Sequence, residues 1–340
     1  MNKTLLYILT LLPILAACSS KAGSEEFDGQ IIRISAAVGA ETKAVSDPAV
    51  YMETTPSTDS PLKAEIWFST TSGEYPGTAD GNGVSQDGTT VNTHRTITYT
   101  SGNPTTPSGI NDTYLRYPSG NGKIYCVGLY PCNTPSRWTV AENGAKAQAL
   151  INGSEDLMFA KQLSGNSDDK LTYKRQDFKH LLTLIKVRVR TASVEAADTW
   201  GHLKTISINS KDLVTVDLSA TDLNADGAVV FSNSGAQDAK FFTFDGDEEL
   251  TTVSKARGMT FVSPVTANGD SGAEYTIHIV CDNYSKDVPV NLVNEDGSSY
   301  SGNTAGYVFV VTLFFKTLTY IEGSVTLEKW TEEYTDLILQ

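Results

Sequence analysis

Tyr307-Val308-Phe309-Val310-Val311-Thr312-Leu313-Phe314-Phe315 is the stretch on which the reading of the fold turns. Its odd-numbered residues are large and apolar at period two, the signature of a β-strand. The intervening Val308, Val310 and Phe314 are apolar too, so both faces of the strand are covered, as in the middle of a sandwich or at a subunit contact. The same alternation recurs in Ile32-Ile34-Ala36-Val38, Ile97-Tyr99, Tyr125-Val127-Leu129 and Tyr275-Ile277-Ile279-Cys281. Between these runs lie clusters of Gly, Ser, Thr, Asn and Asp, which punctuate strands with turns. Helical signals are weak: Val194-Glu195-Ala196-Ala197 suits one turn or two. Phe178 to Leu184 starts as a turn, and Ile185 to Arg190 then alternates with Val187 and Val189 inward and its cations toward water. The chain is therefore all-β, with under about a tenth of its residues helical.

A length of 340 residues predicts two domains. The best internal boundary is Gln162 to Asp169, a polar linker after Asp156-Leu157-Met158-Phe159-Ala160. It divides the chain into an N-terminal β-sandwich over 30–168 and a C-terminal one over 169–340. Ser69 to Val91, Thr100 to Thr113 and Asn294 to Ala305 are long polar loops, a length that goes with function or mobility. Residues 18–29, with Glu25, Glu26 and Asp28, form a flexible tether.

The formal charge of −14 argues against nucleic acid as a partner, because an acidic chain repels a phosphate backbone. The four histidines, His94, His180, His202 and His278, show no metal-ligand spacing, and no HExxH, CxxC or Gly-x-Ser-x-Gly occurs. Asp222-Leu223-Asn224-Ala225-Asp226-Gly227 hints at a calcium loop but lacks a closing Glu, so an Asp/Asn-Gly turn is the better reading. Asp245-Gly246-Asp247-Glu248-Glu249 reads as a solvated acidic turn. Trp67, Trp138, Trp200 and Trp330 suit either core packing, which their strand settings favour, or a sugar-binding platform. Nothing here supplies an enzyme's cluster of acid, base and nucleophile, and no cofactor or metal is expected. Cys126, Cys132 and Cys281 cannot all pair within one chain. Read as one strand, Cys126 and Cys132 lie ~20 Å apart, too far for a bridge unless the chain bends at Pro131, so buried free thiols are the reading.

Met1-Asn2-Lys3, the apolar run Leu5 to Leu15 and the small residues Ala16-Ala17 before Cys18 make a secretory signal over residues 1–17. The alternative, an uncleaved membrane anchor, needs ~20 apolar residues, and Thr10 and Pro13 interrupt the run. Leu15-Ala16-Ala17-Cys18 resembles a lipobox, which implies a bacterial lipoprotein acylated on Cys18, with palmitate-type chains holding it to the outer membrane.

Four segments in order carry a second resemblance. They are Ile31-Ile32-Arg33-Ile34-Ser35-Ala36 with Thr42-Lys43-Ala44, Tyr125-Cys126-Val127-Gly128-Leu129-Tyr130-Pro131, Asp156-Leu157-Met158-Phe159-Ala160 followed by Phe178-Lys179-His180-Leu181-Leu182, and the closing pair Tyr307 to Phe315 with Ile321 to Trp330. Together they resemble the fimbrillin-like family, subunits of type V pili, with Lys43 standing where members often carry Arg. The resemblance implies two tandem transthyretin-like β-sandwiches, export to the cell surface, cleavage between Lys43 and Ala44, and assembly with other pilus subunits by donor-strand exchange. The alternative is a surface lipoprotein or pilus-tip adhesin with a glycan or host ligand; a secreted hydrolase ranks third. At the C-terminus Leu337 and Leu339 share one strand face with Thr335, and Tyr334 and Ile338 share the other. Such a tail either pairs with its own chain or is donated to a neighbour, with Leu337 and Leu339 filling pockets.

Overall fold

The computed structural model describes residues 62–69, 71–75, 92–99, 122–131, 137–141, 144–166, 172–174, 178–266, 272–294, 296–317, 320–329 and 336–338. In chain order the strands are β1 (Leu62–Ser69), β2 (Asn92–Tyr99), β3 (Ile124–Tyr130), β4 (Trp138–Val140), β5 (Lys146–Leu150), β6 (Met158–Gly165), β7 (Thr172–Lys174), β8 (Phe178–His180) and β9 (Thr183–Thr191). After helix α1 (Val194–Trp200) come β10 (Leu203–Ser210), β11 (Leu213–Asp217), β12 (Val229–Ser232), β13 (Ala239–Glu248), β14 (Lys255–Val262) and β15 (Glu274–Cys281). The last are β16 (Ser285–Asn291), β17 (Tyr307–Phe315), β18 (Ile321–Lys329) and β19 (Asp336–Ile338).

The all-β expectation holds. One sheet runs β2-β1-β3-β6-β8, a second β12-β11-β5-β4, a third β13-β10-β15-β16 and a fourth β14-β9-β17-β18, with β19-β7 as a ribbon. Among the described residues every pairing is antiparallel except β9 with β17, which run parallel from Leu184 opposite Val308 to Thr191 opposite Phe315. Alternation places Val214 and Val216 of β11 and Ala147 and Ala149 of β5 on one buried face. These meet Val127, Leu129 and Phe159 of the first sheet in a single apolar cluster that also takes in Ile206, Ile277, Val187 and Phe309 from the other two sheets. Strand β17 is buried on both faces over Val308 to Val311, as its sequence predicts. In β15, Tyr275, Ile277, Ile279 and Cys281 point into the core. Helix α1 starts where the Ser193 side chain accepts from Ala196 N and stops at Gly201, whose φ of 73° suits glycine.

Four expectations need correction. The linker read from Gln162 begins as strand, because Gln162 Oε1 accepts from Gly73 N at 2.7 Å and Tyr75 Oη at 2.9 Å and so ties β6 to a distant turn. The β6–β8 and β5–β11 pairings both join residues on opposite sides of residue 168. Asp245 to Glu248 is not a turn but the end of β13, where Lys204 Nζ donates to Asp247 at 2.8 Å. Phe178 to His180 is a strand rather than a turn. The cations of β9 do not all face water: Lys186 is fully buried, Arg188 half-buried, and Arg190 alone of the three is exposed, lying 4.5 Å over the Phe314 ring. Leu184, Val308 and Val310 share that face with Lys186 and are buried as well, so this end of the sheet is covered on its second side.

Candidate functional site

The most specific sequence motif folds into one unit. Strand β8 pairs with β6 through Met158–His180, Phe159–Lys179 and Ala160–Phe178, and Leu181 N donates to Leu157 O at 2.9 Å. The Phe178 ring packs over Gly128 of β3, so closely that a Cβ there would lie 2.5 Å from Phe178 Cζ and 2.9 Å from Ala160 Cβ. Beneath this layer His180 Nδ1 is hydrogen-bonded to the Asp156 carboxylate, and both side chains are buried. Burial pushes the Asp156 carboxyl well above its ordinary range, opposed by the Leu157 N–H that donates to it at 2.8 Å. The three motifs therefore serve a structural task. They fasten β8, a strand of three residues, to the edge of the first sheet.

Beside that edge lies a groove of about 1000 Å³. One wall is β6 and β8, through Lys161, Lys179 and His180; the other is β12, through Val229 and Phe231, with the 221–227 turn. Both strands end their sheets: β8 closes the first, β12 the second. Among the described residues β12 pairs only with β11, and β6 has a strand partner on the groove side only over Met158–Ala160. The β12 edge and the part of β6 beyond Ala160 thus border a trough lined by both polar and apolar residues, a template for another strand. The edges of the third and fourth sheets are blunted. Strand β13 lies beside β14, and β16 beside β18. Strand β16 also carries Lys286, Asp287 and Pro289, and β14 is bulged between Ala256 and Met259.

The other residues singled out from the sequence fall elsewhere. Cys18, Lys43, Ala44 and Leu339 lie outside the described residues, as do Cys132, Trp330 and the strand expected over 32–38. Leu337 sits in β19, opposite Tyr173 of β7 in the same chain. Trp67, Trp138 and Trp200 are buried, and their indole N–H groups donate to Glu65 Oε2, Tyr130 O and Lys316 O at 3.1, 3.1 and 2.9 Å. Core packing, not a sugar platform, is what these three do. Cys126 and Cys281 are buried thiols outside any disulfide; burial, with Asp282 adjacent, pushes the Cys281 thiol up to about 12. Asp222 forms a turn, its Oδ1 accepting from Asn224 N at 2.9 Å, and Gly227 follows at φ 78°. His278 pairs with Asp287 at 2.6 Å and His202 with Asp247 at 2.7 Å, both at the surface. Among the described residues no group of three His, Cys, Asp or Glu side chains is placed to hold a metal, and no helix is long and apolar enough to cross a membrane. The sequence signals missed were the groove, which needs two sheets, and the Asp156–His180 contact, whose partners lie 24 residues apart.

No family model and no curated protein matches the chain. Solved structures with a similar trace include a candidate cell adhesion protein from Bacteroides uniformis, at 15% identity and TM-score 0.46 over 79% of this chain and 91% of that one. A fimbrial protein from Bacteroides vulgatus aligns at 14% identity and TM-score 0.35, covering 79% of this chain and 93% of that one. The tip fimbrial protein Mfa3 from Porphyromonas gingivalis aligns at 10% identity and TM-score 0.35, covering 79% of this chain and 94% of its own.

Proposed function

We propose that the chain is a structural subunit of a surface pilus, exported as a lipoprotein through Cys18 and assembled by strand exchange after cleavage between Lys43 and Ala44. The observation that carries this reading is the groove between β8 and β12, where β12 and the part of β6 beyond Ala160 have no second strand partner among the described residues, beside Val229 and Phe231. An extended strand laid there gains main-chain hydrogen bonds from the edges, and its alternate side chains enter the trough. The contact is head-to-tail, so it propagates instead of closing. In this reading the chain forms two transthyretin-like sandwiches that divide near residue 168, with the β11–β12 hairpin reaching back to complete the first. The resemblance of the Asp156–Ala160 and Phe178–Leu182 motifs to fimbrillin-like subunits supports the same role.

The donor in this proposal is the C-terminal tail, with Leu337 and Leu339 as its pocket residues. In the monomer residues 336–338 rest on β7 through a ladder of three residue pairs, a short hold to release. Burying two leucines in a neighbour contributes roughly 3–6 kcal/mol before ordering costs. Deleting residues 335–340 should abolish oligomers in light scattering while the monomer's melting temperature stays within about 2 °C. Retained oligomers would reject the tail as donor, and a large fall in monomer stability would assign it to its own chain. The anchor is tested separately: Cys18→Ala should abolish palmitate labelling and leave the protein secreted poorly or released in soluble form. A labelled, membrane-bound variant would exclude the lipid.

A further inference from the structure

We infer that a pocket beside the turn between β5 and β6 binds a carboxylate-bearing sugar, the terminal acidic unit of a glycan. The pocket has a volume of about 460 Å³, a size that suits small ligands. It shares no lining residue with the groove between β8 and β12. Its walls come from the 151–154 turn, from Asp212 ahead of β11, from residues 239–242 of β13 and from Met259 and Thr260 of β14. Backbone hydrogen bonds tie these elements together: Ile151 N donates to Asp212 O and Phe261 N to Gly153 O, both at 2.8 Å. Gly153 takes φ +79° and packs so closely that a Cβ there would lie 2.6 Å from Thr260 Oγ1 and 3.0 Å from Phe241 Cδ1. Asn152 Oδ1 accepts from Ser154 N and Glu155 N, each at 3.1 Å, which fixes the turn. The site is therefore preformed, and binding has little ordering cost to overcome.

The chemistry of the walls matches the three parts of such a sugar. The first part is an apolar ring face. Phe242 lines the pocket and is 46% exposed, unlike the buried Trp67, Trp138 and Trp200, so its ring is open to stack against sugar C–H groups. The second part is a carboxylate. Lys240 is exposed on the same strand, with its Nζ 5.3 Å from the centre of the Phe242 ring, and among the described residues it forms no ion pair. The third part is a set of hydroxyls. Asn152, Ser154 and Asp212 offer an amide, a hydroxyl and a carboxylate to them. The Asn152 amide oxygen is used within the turn, so its N–H groups are the part that donates. The Asp212 carboxylate is held in place by Ser234, whose N–H donates to Oδ1 at 2.6 Å and whose hydroxyl donates to Oδ2; its remaining lone pairs accept from sugar hydroxyls. The ligand enters with its acid toward Lys240 and its hydroxyls toward Asp212, since the reverse places two carboxylates together. A neutral sugar makes the ring and hydroxyl contacts alone, and a simple anion makes the lysine contact alone.

The test titrates the mature chain by calorimetry with oligosaccharides ending in sialic acid or in glucuronate, each beside the same oligosaccharide ending in an uncharged hexose. The acidic member of at least one pair should bind about tenfold or more tightly than its neutral counterpart, and which pair does so separates the two sources of the carboxylate. Lys240→Gln should erase that preference and leave the neutral ligand's affinity within about threefold of wild type. Phe242→Ala should weaken both ligands about fivefold to tenfold. Both side chains are exposed, so the variants' melting temperatures should stay within about 2 °C of wild type. Equal binding of acidic and neutral ligands, or a preference that survives Lys240→Gln, overturns the pairing of the acid with Lys240. Absence of binding to every oligosaccharide, or binding untouched by Phe242→Ala, overturns the site. Deleting residues 335–340 should leave sugar binding unchanged, because the pocket takes no residue from the groove or the tail, so failure of this site and failure of strand exchange are read separately.

Discussion

Gly258→Ala should destabilise the protein by about 3–6 kcal/mol, the sum of a backbone strain and a steric clash. Gly258 adopts φ +78°, a conformation that side chains rarely occupy, and a Cβ built on it would lie 2.0 Å from the Thr243 carbonyl oxygen. That oxygen belongs to β13, which lies beside β14 at this corner. It is backbone in the middle of a paired strand, so it cannot swing away as the end of a side chain would. The bulge between Ala256 and Met259 depends on the glycine, and the bulge lets β14 stay paired with β9 while turning toward β13. Urea unfolding should show a lower midpoint with unchanged slope. A loss below about 1 kcal/mol would mean that β13 and β14 part without cost.

Asp156→Ala should cost about 3–5 kcal/mol, because it leaves a buried imidazole without the carboxylate that faces it. His180 Nδ1 is bonded to Asp156, and Asp156 is inaccessible to solvent. The effect reaches beyond stability. Strand β8 is held by three residue pairs, by Phe178 over Gly128 and by this contact. Loosening it removes one wall of the groove, so assembly should fall in parallel with protection of β8 against hydrogen exchange. In a double-mutant cycle with His180→Ala, the two changes should couple by about 1–3 kcal/mol. Strict additivity would show that the contact contributes nothing of its own.

The pilus reading draws its physical content from the same edge. A pilus subunit must be stable as a monomer and incomplete along one side. Here β16 carries Pro289 with Lys286 and Asp287, and a bulge interrupts β14, which blunts these two edges. The groove beside β8 and β12 mixes polar and apolar lining and is bordered by the β12 edge. A protein that polymerises in one direction gains from such blunting, since unprotected edges permit branching and aggregation.

Sequence by itself determined the fold class and the core strands. Period-two alternation is a local property of the chain, so Tyr275 to Cys281 and Tyr307 to Phe315 could be read with their buried residues, and the turn at Val194 could be anticipated. Sheet membership is not local. That β9 and β17 pair in parallel across more than 100 residues, and that β5 joins β11, depended on which apolar faces met in three dimensions. Side chains near an edge or under a second layer were likewise beyond the pattern. Lys186 reads as solvent-facing in its own strand, yet the structure buries it on a face shared with Leu184 and Val310. His180 reads as an isolated imidazole until β8 docks on β6 and brings it to Asp156. The groove has no sequence signature, because its walls come from the edges of two different sheets and exist only once both are folded.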